Sequence, residues 1–288
     1  MKEPKYIDIH SHVNFTAFDA DRGEVIERAL SNDTWMINIG TQADTSRKAV
    51  EMARSYPEGV YAIIGLHPIH TGASFHDKKE LGEGGAEFTS RGEVFDKEVY
   101  RQLLKDPKVV GIGECGLDYY RCTEDSILKQ KKAFIEQIEI ANEFGKPLML
   151  HIRNNEKAEL IVGNHGMYNA YEDALSILKE HAKVKGNVHF FAGSPSEAKA
   201  FLNLGFTLSF TGVITFTNDY DEVIKAAPLD MIMSETDSPY VTPVPFRGKR
   251  NEPMYVREVV KKIAKVKGLP EEEVQKAIAG NARRLFRI

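Results

Sequence analysis

The chain has 288 residues, of which 42% are apolar and 28% charged, and a formal net charge of −4. That length suits one large α/β domain or two small ones, and no apolar run reaches the roughly 18 residues of a membrane-spanning helix. A mildly acidic chain has no global pull toward nucleic acid or anionic membrane, so a phosphate-bearing substrate must be held by local positive charge or by a metal.

The N-terminus, "MKEPKYIDIH", enters a strand at once, and no signal peptide is expected. The first predicted strand is "YIDIHSHV" (6–13), followed by the helical pattern "EVIERAL" and the strand "WMINIGT" (35–41). "TSRKAVEMARSY" leads to "VYAIIGLHP" (60–68), and a Gly-rich, charged segment at 70–95 follows it. "VVGIGECGLD" (109–118) is nearly continuous in apolar residues, as a strand buried on both faces requires. The longest helix, "ILKQKKAFIEQIEIANEF", spaces Leu128, Phe134, Ile135, Ile138 and Ala141 for a core face and stops at Gly145 and Pro147. "PLMLHIR" (147–153), a second irregular segment at 154–170, "NVHFFAG" (187–193), "PSEAKAFLNLG", "FTLSFTG" (206–212) and "DMIMSETD" (230–237) complete the alternation. Two helices close the chain, the second opened by Pro270 before an acidic first turn. The two thiols, Cys115 and Cys122, are expected to be reduced in a cytoplasmic enzyme.

Eight strands alternating with helices mean a parallel sheet covered by helices. The count favours a (β/α)₈ TIM barrel over a doubly wound open sheet, and no G-x-G-x-x-G follows the first strand. We expect a single domain over 1–288, with loop insertions near 70–95 and 154–170 at the mouth of the barrel.

The polar residues fall where such a barrel does chemistry. His10 and His12 end the first strand, Glu114 the fourth, His151 the fifth and Asp237 the eighth, while His189 lies in the sixth. Singly, each has a structural explanation: a polar strand end, a hydrogen-bonded core histidine, a turn-forming Asp. Together they put six potential ligands at one end of one fold, where inward-pointing residues are catalytic. Imidazole and carboxylate without thiolate suit Zn²⁺, Mn²⁺ or Fe²⁺, and less obviously Mg²⁺. Six ligands suggest two ions, one on His10, His12 and Asp237, the other on His151 and His189, with Glu114 between them. Asp237 also stands as general base toward a metal-activated water. Asp8, two residues before His10, is expected to share its strand face and to support the ligands.

The stretches "IDIHSHV", "GLHP", "GECGLDYYR", "QKKAFIEQIEIANEFGKPLMLHIR", "GNVHFFAG", "SETDSPYVTPVPFRGKRNEP" and "GNARRLF" resemble the TatD-type metal-dependent deoxyribonucleases of the amidohydrolase superfamily. They run in family order along almost the whole chain. The resemblance implies a (β/α)₈ barrel, a site of two divalent ions (Mg²⁺, Mn²⁺ or Zn²⁺) and hydrolysis of DNA phosphodiesters, commonly from the 3′ end. It also implies ligands at His10, His12, Glu114, His151, His189 and Asp237. The sixth strand departs from the family's usual His-Cys-Phe with His189-Phe190-Phe191, and the insertions bear on substrate preference more than on chemistry.

Arg247, Lys249 and Arg250 in "PVPFRGKRNEP", together with Arg153 and His67, are the candidate contacts to substrate phosphates, with Tyr119 and Tyr120 as possible groove aromatics. DNA, single-stranded or at 3′ ends, is the expected partner, acted on by a monomer with no membrane association. Two rival readings keep the fold: a small-molecule amidohydrolase acting on lactones or amides, and a binding scaffold with a dead site.

Overall fold

β-branched and apolar runs condense into strands, and the segments with helical spacing wrap them, in a computed structural model that describes residues 3–73, 75–76, 88–89, 91–120, 122–155 and 168–288. In chain order the first elements are β1 (Tyr6–Ser11), α1 (Arg22–Ser31), β2 (Thr34–Ile39), α2 (Ala43–Arg54) and β3 (Val60–Ile64). Next come the short strands β4 (Phe75–His76) and β5 (Phe88–Thr89), then α3 (Lys97–Leu103), β6 (Val109–Asp118), α4 (Glu124–Phe144) and β7 (Leu148–Arg153). The last part holds α5 (Ala170–His181), β8 (Gly186–Val188), α6 (Pro195–Asn203), β9 (Thr207–Phe210), α7 (Asp221–Ala226), β10 (Ile232–Ser234), α8 (Val256–Lys267) and α9 (Glu271–Phe286).

The main sheet runs β1-β2-β3-β6-β7-β8-β9-β10, all parallel. Its two ends meet past the last strand: Ser11 bridges Ser238, His12 N–H donates to Ser238 O at 2.8 Å, and Asp237 N–H donates to His10 O at 2.9 Å. This seam makes the sheet a nearly closed (β/α)₈ barrel, and it brings the residues after β10 against the end of β1. Inside the barrel Ile7, Ile9, Ile37, Ile39, Ile63, Val110, Met149 and Met233 cluster with Ala282 and Phe286 of α9, which plugs the end away from the mouth. Asn281, buried in the "GNARRLF" stretch, fastens that helix by donating to Leu229 O and Ile232 O.

Several strands are shorter than their apolar runs suggest. The run 187–193 yields only two strand residues, Asn187 and Val188, so His189 stands just beyond β8 rather than within it, and Asp237 stands three residues beyond β10. The chain turns at these points because Phe190 (φ 43°) and Asp237 (φ 54°) adopt the left-handed conformation.

Two strands carry an extra residue at the site. Asp8 pairs with Met36 and Ser11 with Asn38, so three steps along β1 match two along β2. Likewise Ile112 pairs with Leu148 and Cys115 with Leu150 across β6 and β7. Each bulge falls beside a candidate ligand, His10 in one case and Glu114 in the other, and re-aims the side chains around it. The bulge also breaks the simple alternation on which Asp8 was expected to share a face with His10. The Asp8 carboxylate instead accepts from Thr236 N–H, Thr236 Oγ–H and the His10 backbone N–H, bracing the seam. Gly116 is demanded by the same crowding: at φ 136° a Cβ would stand 2.1 Å from His151 O.

The long helix α4 begins at a Thr123–Ser126 capping box and ends at Gly145 in the left-handed conformation. Its inner face differs from the apolar spacing. Leu128 is exposed, while Gln130 and Gln137 are buried. Each glutamine amide pairs with both backbone groups of one strand-end residue, Gln130 with Asp118 and Gln137 with Leu66. Polar side chains on the core face thus satisfy backbone groups that the sheet leaves open as β6 and β3 end.

Of the segment 70–95, residues 74, 77–87 and 90 lie outside the described residues, as do 156–167 of the segment 154–170. The described ends of the first are joined by β4–β5 pairing and by Glu93 N–H to His70 O. Those of the second are tied through Asn154 to Asn169 and Ala170.

Candidate metal centre

Five of the six expected ligands, His10, His12, His151, His189 and Asp237, gather at the mouth of the barrel about the sixth, Glu114, which is 4% exposed and lies within β6, four residues before its end, rather than ending it. Its Oε2 lies 3.5 Å from His10 Nε2 and 3.9 Å from His12 Nε2. Its Oε1 lies 2.9 Å from His151 Nδ1 and 3.0 Å from His189 Nε2. Asp237 Oδ1 faces the first pair, at 3.8 Å from His10 Nε2 and 3.4 Å from His12 Nε2. One carboxylate therefore stands between two sets of imidazole nitrogens. His67 joins the second set, with Nε2 at 3.2 Å from Glu114 Oε1, so the ring counts five histidines rather than four.

Hydrogen bonds behind the rings decide which nitrogens face inward. His12 Nδ1 lies 3.1 Å from Ile39 O, an acceptor only, so Nδ1 carries the proton and Nε2 offers its lone pair to the site. His189 Nδ1 is 3.3 Å from Glu235 Oε1, and His151 Nε2 is 2.7 Å from Asp118 Oδ2. These carboxylates hold the outer protons and leave His189 Nε2 and His151 Nδ1 facing the centre, where they could act as ligand atoms. His67 has the opposite polarity: its Nδ1 accepts from Ile69 N–H, so its proton sits on Nε2 and points inward. His10 Nδ1 has no hydrogen-bond partner among the described residues, and its ring stacks on His189 at 3.8 Å between centroids.

Glu235 and Asp118 are functional candidates that strand-end reasoning missed. Glu235 is fully buried and also accepts from Phe190 N–H and Ser209 Oγ–H. Its signal was present in "SETD", a second acidic residue two positions before Asp237. Asp118 closes "GECGLD" four residues after Glu114, and Gln130 holds its backbone. Asn251, buried in the "KRNEP" stretch, donates to Thr236 O and Tyr240 O and so fastens the loop that carries Asp237.

Burial opposes charge on Glu114, yet the His67, His189 and His10 rings around it outweigh burial and hold its carboxyl well below the usual range. Burial likewise opposes charge on His151 and His189, but Asp118 and Glu114 raise the first and Glu114 and Glu235 raise the second. His10, with burial and the neighbouring His189 acting together, is pushed down to about 3. Asp118 falls to about 2 because its bond from His151 overcomes burial.

The donor set fits divalent cations. His10, His12 and Asp237 place their ligand atoms within 4.8 Å of one another, as do His10, His189 and Glu235; His67, Glu114 and His151 lie equally close, with the inward N–H of His67 a donor rather than a ligand. All are nitrogen or carboxylate oxygen, the ligands of Zn²⁺, Mn²⁺ and related ions. The raised affinity of His151 and His189 for protons has a sign: a ligand nitrogen must give up its inner proton. Apparent metal affinity is therefore expected to rise with pH and to fall on acidification, by up to about tenfold per pH unit for each proton displaced. Calorimetric titration with Mn²⁺ between pH 6 and pH 8 checks this, and a pH-independent affinity would contradict it.

The predicted phosphate contacts divide. Arg153 stacks its guanidinium on Tyr120 at 3.9 Å, beside His151 on β7. Arg247 lies over the Phe216 ring at 4.1 Å, and Lys249 is exposed. Arg250 corrects the expectation: it makes a two-point bond to Asp21, donates to Ala17 O and covers Phe18, so its donors serve the protein. Tyr119 is turned away too, its hydroxyl donating to Asp173 of α5 at 2.8 Å.

Comparison with known proteins agrees with this geometry. The family model described as TatD related DNase matches residues 7–287. The chain is 37% identical over 286 residues to the uncharacterized metal-dependent hydrolase YabD of Bacillus subtilis, covering 98% of each chain. It is 31% identical over 291 residues to the 3′-5′ ssDNA/RNA exonuclease TatD of Erwinia tasmaniensis, covering 98% of this chain and 99% of that one. Among solved structures, the TatD homologue YJJV of Escherichia coli superposes with a TM-score of 0.77 at 25% identity over the whole of both chains. Among the described residues no helix is long and apolar enough to cross a membrane.

Proposed function

This chain belongs to the TatD related DNase family of metal-dependent hydrolases, and from that premise we propose that it hydrolyses DNA phosphodiesters from 3′ ends at a site of two divalent ions. The observation that carries the reading is the Glu114 carboxylate set between two groups of imidazole nitrogens. His10, His12 and Asp237 would hold one ion, His151 and His189 the other, and Glu114 would face both. Ions there would polarise a phosphoryl oxygen and make a water more acidic. Asp237, less buried than the other carboxylates and aimed at the His10–His12 side, accepts the proton released as the phosphodiester is attacked. His67, with its N–H facing inward, donates a hydrogen bond to charge that develops on phosphate oxygens. Arg153 and the lip of Arg247 and Lys249 hold flanking phosphates by charge-assisted bonds. The chain acts as one hydrolase domain, as a monomer in the cytoplasm.

Purified protein stripped with chelator and reloaded is the test. Mg²⁺ or Mn²⁺ is expected to restore hydrolysis of single-stranded DNA, and mass spectrometry of the metals is expected to find two ions per chain. Hydrolysis of lactones or amides with no action on any phosphodiester would overturn the substrate class while leaving the metal site intact.

A further inference from the structure

Large apolar side chains left exposed on a folded protein mark contact surfaces when they gather in one place. Among the described residues they are Val94, Leu128, Phe216 and Val244. Val94 follows β5 in the connection from β3 to α3, Leu128 lies in the first turns of α4 after β6, Phe216 follows β9 and Val244 follows β10. In a parallel barrel all four segments lie on the face where the strands end, which is the face of the metal centre.

Phe216 and Val244, each 44% exposed, sit on adjoining loops. Val244 N–H donates to Thr215 Oγ at 2.9 Å, and a Cβ on Gly212 would stand 2.3 Å from Val241 O, so the loops touch closely. The Thr211 hydroxyl caps the turn that precedes Phe216, and Thr215 Oγ–H donates to Gly212 O. Arg247 lies over the Phe216 ring at 4.1 Å and donates to Thr242 O. The result is an exposed aromatic held in place with a cation stacked over one face of its ring. No acidic residue occurs in 211–217 or 241–250, which carry Arg247 and Lys249 besides the Asp21-bound Arg250, while Asp219, Asp221 and Glu222 begin just beyond. Aromatic rings interleaved with positive charge suit a single nucleic acid strand, whose bases stack while its phosphates meet cations.

We infer that Phe216, flanked by Val244 and Arg247, is a stacking subsite for a nucleobase of the strand being cut. The inference rests on the nucleic-acid reading above and deepens it: substrate strength would come from a base platform on the β9 loop as well as from phosphate contacts. Base identity would matter little, because every base has a π-face. Phe216 is a binding residue here and takes no part in the proton transfers.

Steady-state hydrolysis of an oligothymidylate with Mn²⁺ tests it, comparing F216A, F216L and F216W. Loss of one stacked base is expected to raise KM at least about fivefold in the Ala and Leu variants with kcat little changed, while Trp keeps the wild-type KM. Leu preserves apolar packing, so an unfolding midpoint equal to wild type in F216L separates stacking from fold. A wild-type KM in F216L overturns the subsite and leaves the nuclease reading standing. Failure of the wild-type protein to cleave oligothymidylate, while it still cleaves bis(p-nitrophenyl) phosphate, overturns both. Light scattering supplies the remaining arm: a dimer that dissociates in F216A with KM unchanged would make the lip a contact between two copies and end the proposal.

Discussion

Glu114→Gln is expected to cripple turnover and to lower the metal content of the centre. The substitution keeps the size of the side chain but turns one acceptor oxygen into an N–H donor and removes the negative charge that faces all five of His10, His12, His67, His151 and His189. Without it, cations gathered by those rings repel one another in a buried site. Activity is expected to fall at least about 10²–10³-fold, the scale for losing one preorganised electrostatic group, and metal content to drop below that of the wild type. Metal analysis of the purified variant, alongside its rate, checks this. A variant with normal metal content and normal rate would show that Glu114 is no more than a structural partner of its histidines.

Asp237→Asn separates ligation from proton transfer. Asp237 stands at φ 54°, a conformation that Asn tolerates nearly as well as Asp, so the loop and its Asn251 anchors should persist. The amide oxygen can still face an ion, but the group cannot accept a proton at neutral pH. The rate is expected to fall about 10²–10⁴-fold, the usual reach of general base catalysis, with a smaller loss of metal affinity. Equal losses of metal and rate would reduce Asp237 to a ligand.

Much of this architecture could be read before any coordinates. The alternation of β-branched runs with helical spacing reports the barrel, because strands buried on both faces need continuous apolar sequence. Since all strands end on one face, polar residues near strand ends had to converge, and five of those singled out do gather about the sixth, Glu114, although β6 runs on to Asp118 and His12, His189 and Asp237 stand beyond their strands. What stayed hidden depends on register and on hydrogen bonds. The bulges at His10 and Glu114 move side chains by one residue, and periodicity in a single chain cannot show where pairing slips. Gln130 and Gln137 sit on the inner face of α4 because backbone groups need partners there, while Leu128 faces out. Glu235 and Asp118 act through the far nitrogens of two histidines, a role visible only once the rings are placed. Arg250 looked like its neighbours in the basic run, yet Asp21, far away in sequence, claims it.

The most direct test of the central claim uses one single-stranded oligonucleotide carrying a fluorophore at the 5′ end in one sample and at the 3′ end in another. With Mn²⁺ or Mg²⁺, the 5′-labelled strand is expected to shorten as a ladder while the 3′-labelled strand releases a short product first, and chelator should stop both. Intact strands with every divalent ion tried, or cleavage that persists in chelator, would contradict the account.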